Sequence, residues 1–164
     1  MKHLAIDFGA KRIGLAVSDP DGKMAFAHAT HERAGHKRDC ASLVQTVRGL
    51  AIEAIVFGLP RALSENTVSE SETKVRTFAA ILQDALSTAN LDVPIFWQDE
   101  RFSTREALSA MRDAGVSQKQ GRSGDANGTD ARAAAIILQA FLDRTATKST
   151  PESGRTFLDS EADS

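Results

Sequence analysis

The fold is decided by residues 3–18, whose sequence is HLAIDFGAKRIGLAVS. Two largely apolar runs, residues 3–8 and 12–18, flank a Gly-Ala-Lys turn, and this pattern is typical of a β-hairpin. The sequence Asp-Pro-Asp-Gly at 19–22 is a second turn signal, after which residues 24–30 return as a third strand. The chain is therefore predicted to open with an antiparallel meander of three strands.

Beyond the meander, the apolar residues change to a pattern of helices that alternate with short strands. Short apolar runs predict two further strands, and helical spacing predicts four helices: strands at 54–57 and 94–98, and helices at 36–51, 75–89, 107–111 and from 130 to about 141. A meander followed by parallel βα units predicts an α/β fold. Its mixed five-stranded sheet would carry helices on its faces.

Two segments lack any apolar periodicity. Residues 115–128 are rich in Gly, Ser and Asn, so we expect a loop there. Residues 145–164 are dominated by Ser, Thr, Glu and Asp, and this composition predicts a disordered acidic tail. Residues 1–144 would then form a single domain of ordinary size.

The composition excludes several classes of protein. The chain has 20 Lys and Arg against 22 Asp and Glu, a net charge of −2, so affinity for nucleic acid would require a local basic patch. Cys40 is the single cysteine and cannot form an internal disulfide. No apolar run approaches the roughly 18 residues of a membrane span, and Asp7 interrupts any signal-peptide core. We expect a cytoplasmic protein that does not contact a membrane.

Acidic residues occur where the predicted elements begin or end. Asp7 lies inside an apolar strand, Glu100 follows the last strand, and Asp130 opens the final helix. If they converge, three carboxylates would repel one another unless divalent cations lie among them. Oxygen ligands without His or Cys favour Mg²⁺ or Mn²⁺, and a two-metal site of this kind can hydrolyse a phosphodiester bond.

Each of these acids also has a structural interpretation. Asp7 could be a buried, hydrogen-bonded acid, and Glu100 could form a surface ion pair with Arg101. Asp130 could be an ordinary N-cap, in which case Asp125 in the preceding loop would compete for its place in the site. The spacing of His28, His31, His36 and Cys40 is only superficially like that of a zinc site, because these residues straddle a strand and a helix.

Four blocks of the sequence, in this order, resemble the YqgF/RuvX family. The blocks are DFGAKRIGLAVSD at 7–19, GLP at 58–60, DERFST at 99–104, and DARAA at 130–134 with ILQ at 137–139. The resemblance covers residues 3–143. Members of this family are described as Holliday junction resolvases and as nucleases for the 5′ end of pre-16S ribosomal RNA. The resemblance implies an RNase H-like fold and a divalent-metal nuclease whose acidic site falls on Asp7, Glu100 and Asp130.

Cations and a glycine near these blocks are candidates for binding the substrate: Gly9, Lys11, Arg12, Arg101, Lys119 and Arg122. Gly9 would let a phosphate approach Asp7, although it is also a plausible turn glycine. Lys119 and Arg122 are the cations of a loop that is richer in Lys and Arg elsewhere in the family. After residues 58–60 the chain continues with RALSEN, where the family usually has an apolar-polar stretch and a glycine.

The sequence leaves the substrate open between a four-way DNA junction and a precursor rRNA, since both present phosphodiesters to the same metals. A four-way junction has two-fold symmetry, which would suit a homodimer. The alternative function is a catalytically silent RNase H-like module that binds nucleic acid or a protein. An actin-like ATPase needs two lobes, for which 164 residues leave no room.

Overall fold

A computed structural model describes residues 1–60, 67–100 and 126–148. Its strands are β1 (His3–Phe8), β2 (Arg12–Ser18), β3 (Ala25–Glu32), β4 (Ala54–Leu59) and β5 (Ile95–Asp99), and its helices are α1 (His36–Gly49), α2 (Glu70–Thr88) and α3 (Ala126–Lys148). The strands form one sheet in the order β3-β2-β1-β4-β5. β1, β2 and β3 pair antiparallel, whereas β4 and β5 are parallel to β1. The predicted mixed five-stranded sheet is confirmed.

The two faces of the sheet are covered by different helices, because side chains alternate along each strand. Leu4, Ile6 and Phe57 belong to the larger core, which α1 and α2 close. Ala5, Ala16 and Val56 face α3, which contributes Leu138 and Phe141 among others. The small side chains on this second face allow α3 to pack close to the sheet.

The three parallel strands end at the same edge of the sheet, and β2 begins there because it runs antiparallel to β1. We call this the carboxyl edge. In open α/β sheets, ligands bind at the carboxyl ends of parallel strands. The carboxyl edge is therefore the place where the predicted acids have to be found.

The last helix is longer at both ends than the sequence predicted. It begins at Ala126, so residues 126–128 are helical and not part of a loop. It continues to Lys148, so residues 145–148 are not part of a tail. The hydroxyls of Thr145 and Thr147 donate to the carbonyls of Phe141 and Asp143 at 3.0 and 2.9 Å. These last turns carry polar side chains that hydrogen-bond to the helix backbone and show no apolar stripe. The apolar periodicity therefore did not predict them as helical.

Smaller differences concern other boundaries. β4 continues through Gly58 and Leu59, where a strand end was predicted, and α1 stops at Gly49 before Ala51, whose φ of 52° is incompatible with a right-handed helix. α2 starts at Glu70 because the hydroxyl of Ser69 caps the amide of Glu72. The helix predicted at 107–111 lies outside the described residues. Among the described helices, none combines the length and apolar character needed to cross a membrane.

Candidate active site

Asp7 lies on the α3 face of the central strand, close to the carboxyl edge. Its position follows from alternation, since Ala5 faces α3 and Ile6 faces the opposite core. Among the described residues, its carboxylate has no hydrogen bond and no cationic partner. Burial, and then the negative charge of Asp130, raise the pKa of Asp7 to about 6. The strand therefore holds a carboxylate whose charge the described residues do not neutralise.

Asp7 stands between two glycines on the neighbouring strands. Gly14 on β2 is its direct partner, and Gly58 on β4 follows the Ile6–Phe57 pair in the parallel register. A Cβ on Gly14 would overlap the backbone carbonyl of Asp130. A Cβ on Gly58 would lie 2.7 Å from Oε1 of Glu100. The other two acids thus approach Asp7 through the space that the two glycines leave open.

Glu100 directly follows β5 and turns its carboxylate over Gly58. Burial is the main cause that raises its pKa to about 7, and the charges of Asp7 and Asp99 raise it further. Arg101, the partner in the alternative interpretation of Glu100 as half of an ion pair, lies outside the described residues, so that interpretation is not tested. The structure brings Glu100 to Asp7, as the sequence predicted.

Asp130 is the fifth residue of α3 and therefore not its N-cap. The helix passes directly over Gly14, which fixes the backbone of Asp130 against the central hairpin. Nη1 of Arg12 lies 4.0 Å from Oδ2 of Asp130, and both side chains are about one-third exposed. An ion pair at this distance and exposure stabilises only weakly. Arg12 is therefore only a weak counter-charge for Asp130.

The residues predicted to bind the substrate are only partly described by the structure. The amide of Gly9 donates to the carbonyl of Arg12 at 2.9 Å, and a Cβ there would lie 2.6 Å from that carbonyl oxygen, so Gly9 closes the hairpin turn. Lys11 is exposed in the same turn. The other predicted positions lie outside the described residues: Arg101, Lys119, Arg122 and the competing Asp125.

The chemistry of the acids fits a hard divalent cation. All the donors are carboxylate oxygens, and a cation would offset both the burial and the weaker repulsion that raise two of the pKa values. The described side chains meet in pairs, Asp7 with Asp130 and Asp7 with Glu100. Within residues 1–60, 67–100 and 126–148, no group of three or more His, Cys, Asp or Glu side chains is arranged so that it could hold a metal ion.

Three residues of this site escaped the sequence analysis as site residues: Gly14, Gly58 and Gln98. A glycine inside a strand signals the close approach of another backbone or group, and this signal could have identified the first two. Gln98 pairs with Gly58 and is 1% exposed, and its Oε1 has no hydrogen-bond partner within the described residues. Nothing in its sequence context marks it.

Known proteins resemble this chain in sequence and in fold. A family model described as RuvX, Holliday junction resolvase, matches residues 1–144. A protein of Koribacter versatilis named "Putative pre-16S rRNA nuclease" is 41% identical over 141 residues, 86% of each chain. One of the same name from Maridesulfovibrio salexigens is 37% identical over 145 residues, 88% of this chain and 99% of the relative.

The solved structures show the same fold at low sequence identity. RuvC of T. thermophilus, in complex with a Holliday junction, has a TM-score of 0.58 at 18% identity, and the match covers 90% of this chain and 97% of RuvC. The yeast mitochondrial Holliday junction resolvase Ydc2 has a TM-score of 0.58 at 12% identity and covers 88% and 78%. The sheet is thus the RNase H-like fold of these resolvases. With the match over residues 1–144, the chain belongs to the RuvX family.

Proposed function

We propose that the protein is a divalent-metal-dependent nuclease that hydrolyses phosphodiester bonds in structured nucleic acid. Its family supplies the class of enzyme, a phosphodiester hydrolase. The observation that supports the metal dependence is the position of Asp7 at the carboxyl edge, where the charges of Asp130 and Glu100 act on it or through it and where the described residues give it no cationic partner. Such a cluster is unfavourable by itself and becomes favourable with Mg²⁺ or Mn²⁺.

Asp7, Glu100 and Asp130 would hold the metal ions in this proposal. When bound, a pair of divalent ions supplies an activated water and stabilises the leaving oxygen. Asp7 lies between the other two acids, so its carboxylate is the one shared by both pairs. Lys11 and Arg12 are at the adjoining turn, where their charges suit contacts with the phosphates beside the scissile bond.

A catalytically silent binding module is the alternative function. A surface that only binds phosphates gains nothing from carboxylates, because these repel the ligand. Burying Asp7 where the described residues offer no cationic partner also lowers stability, which a binding module would not need. Both arguments favour the nuclease.

The names of related proteins suggest two substrates. The relatives at 37% and 41% identity are named for pre-16S rRNA, and the structural neighbours are resolvases of four-way DNA junctions. We propose precursor rRNA as the first substrate to test, since the closer sequence similarity lies there. Precursor rRNA implies a cytoplasmic enzyme, whereas action on a two-fold symmetric junction would require a homodimer.

A side-by-side cleavage assay tests the proposal. The full chain is incubated with a precursor 16S rRNA fragment, a four-way DNA junction and a plain duplex, each with Mg²⁺, with Mn²⁺ and with EDTA. We expect cleavage of one structured substrate with either metal and none with EDTA. Undiminished cleavage in EDTA would contradict the metal dependence, and intact substrates under every condition would favour the silent module.

A further inference from the structure

A second group of cations lies at the carboxyl edge, on the side of the sheet that α1 covers. It joins the β1–β2 turn to the start of α1 and consists of Lys11, Arg33, His36, Lys37 and Arg38. We call this group the α1 basic surface. The family motifs include Lys11 but not the other four residues, and the site described above uses none of these four.

Direct contacts tie the α1 basic surface to the strand that carries Asp7. The amide of Arg33 donates to the carbonyl of Lys11 at 3.0 Å. The guanidinium of Arg33 lies 4.5 Å from the ring centroid of Phe8, the residue that follows Asp7. The rings of Phe8 and His36 both contact Phe78, with centroids 4.5 and 5.8 Å away. One aromatic ring thus separates the start of α1 from the end of β1.

Most of the charge on this surface is available to a ligand. Lys11, Lys37 and Arg38 are exposed, and within the described part of the chain they form no ion pair. Arg33 differs from them, because its guanidinium forms an ion pair with the buried Asp39. Glu32 is the exposed acid on the adjoining strand.

The acids at the start of α2, the other helix on this face, already form ion pairs within that helix. Glu70 pairs with Lys74 at 2.9 Å, and Glu72 pairs with Arg76 at 3.1 Å. They therefore do little to neutralise the three free cations. The surface stays positive in a chain whose net charge is −2.

We propose that the α1 basic surface binds the phosphate backbone of the nucleic acid whose scissile bond lies at Asp7. The strand would pass over the carboxyl edge, from the acidic site on the α3 face to Lys37 and Arg38 at the start of α1. This inference rests on the proposed function and adds a second contact to it. A nucleic acid suits the surface because its regularly spaced phosphates match several separate cations and release counterions on binding.

The test removes two charges from α1 and two from the opposite edge. Lys37→Gln/Arg38→Gln alters the surface, and Lys23→Gln/Lys148→Gln is the matched control, since both control lysines are exposed and lie beyond the other ends of the strands. Binding of a labelled four-way junction and of a labelled precursor rRNA fragment is measured by fluorescence anisotropy. Ca²⁺ replaces Mg²⁺, and the KCl concentration is varied.

We expect the α1 variant to bind about tenfold more weakly than wild type near 0.15 M salt, with a salt-dependence slope smaller by about 1–2. The control variant should bind like the wild type. With Mg²⁺, the α1 variant should need a higher substrate concentration than wild type to reach half of its maximal cleavage rate, because its cations bind the strand and the acids are untouched. A substrate shortened until it no longer reaches α1 should bind equally to both.

Two results would overturn the inference. Unchanged affinity and slope in the α1 variant would show that these cations do not contact the backbone. Equal weakening in the α1 and control variants would show a general effect of net charge. A wild-type protein that binds but never cleaves would refute the proposed nuclease, while the comparison of the two variants would still decide the binding surface.

Discussion

Asp7 on β1 and Asp39 on α1 lie on opposite sides of the sheet, and burial opposes the ionisation of both carboxylates. Asp39, at the start of α1, has a side chain that is 0% exposed. It accepts hydrogen bonds from the amide of Ala34 at 2.9 Å and from Arg33 at 3.1 Å, and its Oδ1 lies 3.1 Å from Nε2 of His31. Burial opposes its ionisation, but these partners outweigh burial and lower the pKa of Asp39.

Asp7 has the opposite environment. Asp39 is surrounded by hydrogen-bond donors, whereas the groups that act on Asp7 are the carboxylates of Asp130 and Glu100. The pKa of Asp7 is raised to about 6. Burial of an acid is therefore not by itself a sign of function, because Asp39 is the more buried and serves the structure. What distinguishes Asp7 is that the described residues provide no cation for it, so the cation has to come from outside the protein.

The largest expected effect that separates the two aspartates is on catalysis. Asp7→Asn should lower the cleavage rate by more than about 100-fold, since even the outer partners of metal ligands contribute 10–100-fold. The melting temperature of the metal-free variant should equal or exceed that of wild type, because a repulsive charge is gone. Single-turnover cleavage and thermal unfolding check both, with Asp84→Asn on the exposed side of α2 as the control. Near-wild-type cleavage by Asp7→Asn would assign this residue to the structure.

The second effect is on stability and should occur at the other aspartate. Asp39→Asn leaves Arg33 without its counter-charge and removes a carboxylate oxygen from beside His31. Removing one partner of a buried ion pair costs about 3–5 kcal/mol, and we expect about 3 here because Arg33 retains some contact with water. Urea unfolding measures this loss. If Asp39→Asn unfolds like the wild type, the contrast between a structural and a functional aspartate is lost.

The two glycines beside Asp7 should respond differently to the same added methyl group. Gly14→Ala pushes against the backbone of α3, so we expect a loss of about 2 kcal/mol in stability together with reduced cleavage. Gly58→Ala meets the flexible ends of Glu100 and Ile137, so cleavage should fall with a smaller loss of stability. Gly49→Ala is the control, because a Cβ added there would meet no atom of the described residues within 4 Å. Equal losses of activity and stability at Gly58 would indicate a general packing effect.

The smallest effect is on the pH dependence of stability without metal. Because the pKa of Asp7 in the folded protein, about 6, is above its ordinary value of 3.8, its contribution to stability is greatest at acidic pH and is lost as the pH rises to about 6 and beyond. The free energy of unfolding of Asp7→Asn minus that of wild type should therefore become about 1–2 kcal/mol more favourable to the variant as the pH rises from 4 to 8. Asp39, with its lowered pKa, should act in the opposite direction, losing stability only as the pH falls below about 4. A difference between Asp7→Asn and wild type that is constant with pH would contradict the raised pKa.

The sequence predicted the sheet, which is confirmed, and singled out candidate acids for a common reason. Strand and turn signals lie close together along the chain, and acids that interrupt apolar runs or follow strands can be recognised locally. Asp7 and Glu100 were singled out as candidates in this way. The convergence of these residues then followed from the parallel order of the strands, which brings their carboxyl ends to one edge.

The rest depended on contacts between distant parts of the chain. The role of Gly14 is visible only once α3 passes over it, and the partners of Asp39 come together only through the β3–α1 connection. The spacing of His31 and Cys40 superficially resembled that of a metal site. His31 is hydrogen-bonded to Asp39, and Cys40 is buried in the core. Whether Arg101, Lys119 and Arg122 contact the substrate, and whether Asp125 contributes to the site, stay predictions.

The most direct test of the central claim is a Mn²⁺ titration followed by electron paramagnetic resonance. The full chain, Asp7→Asn and Asp39→Asn are compared at pH 8, where Asp7 is ionised. We predict that wild type and Asp39→Asn bind Mn²⁺ alike and that Asp7→Asn binds it at least about tenfold more weakly. Equal Mn²⁺ affinity in Asp7→Asn and wild type would contradict the account, because the uncompensated carboxylate would then not be what holds the cation.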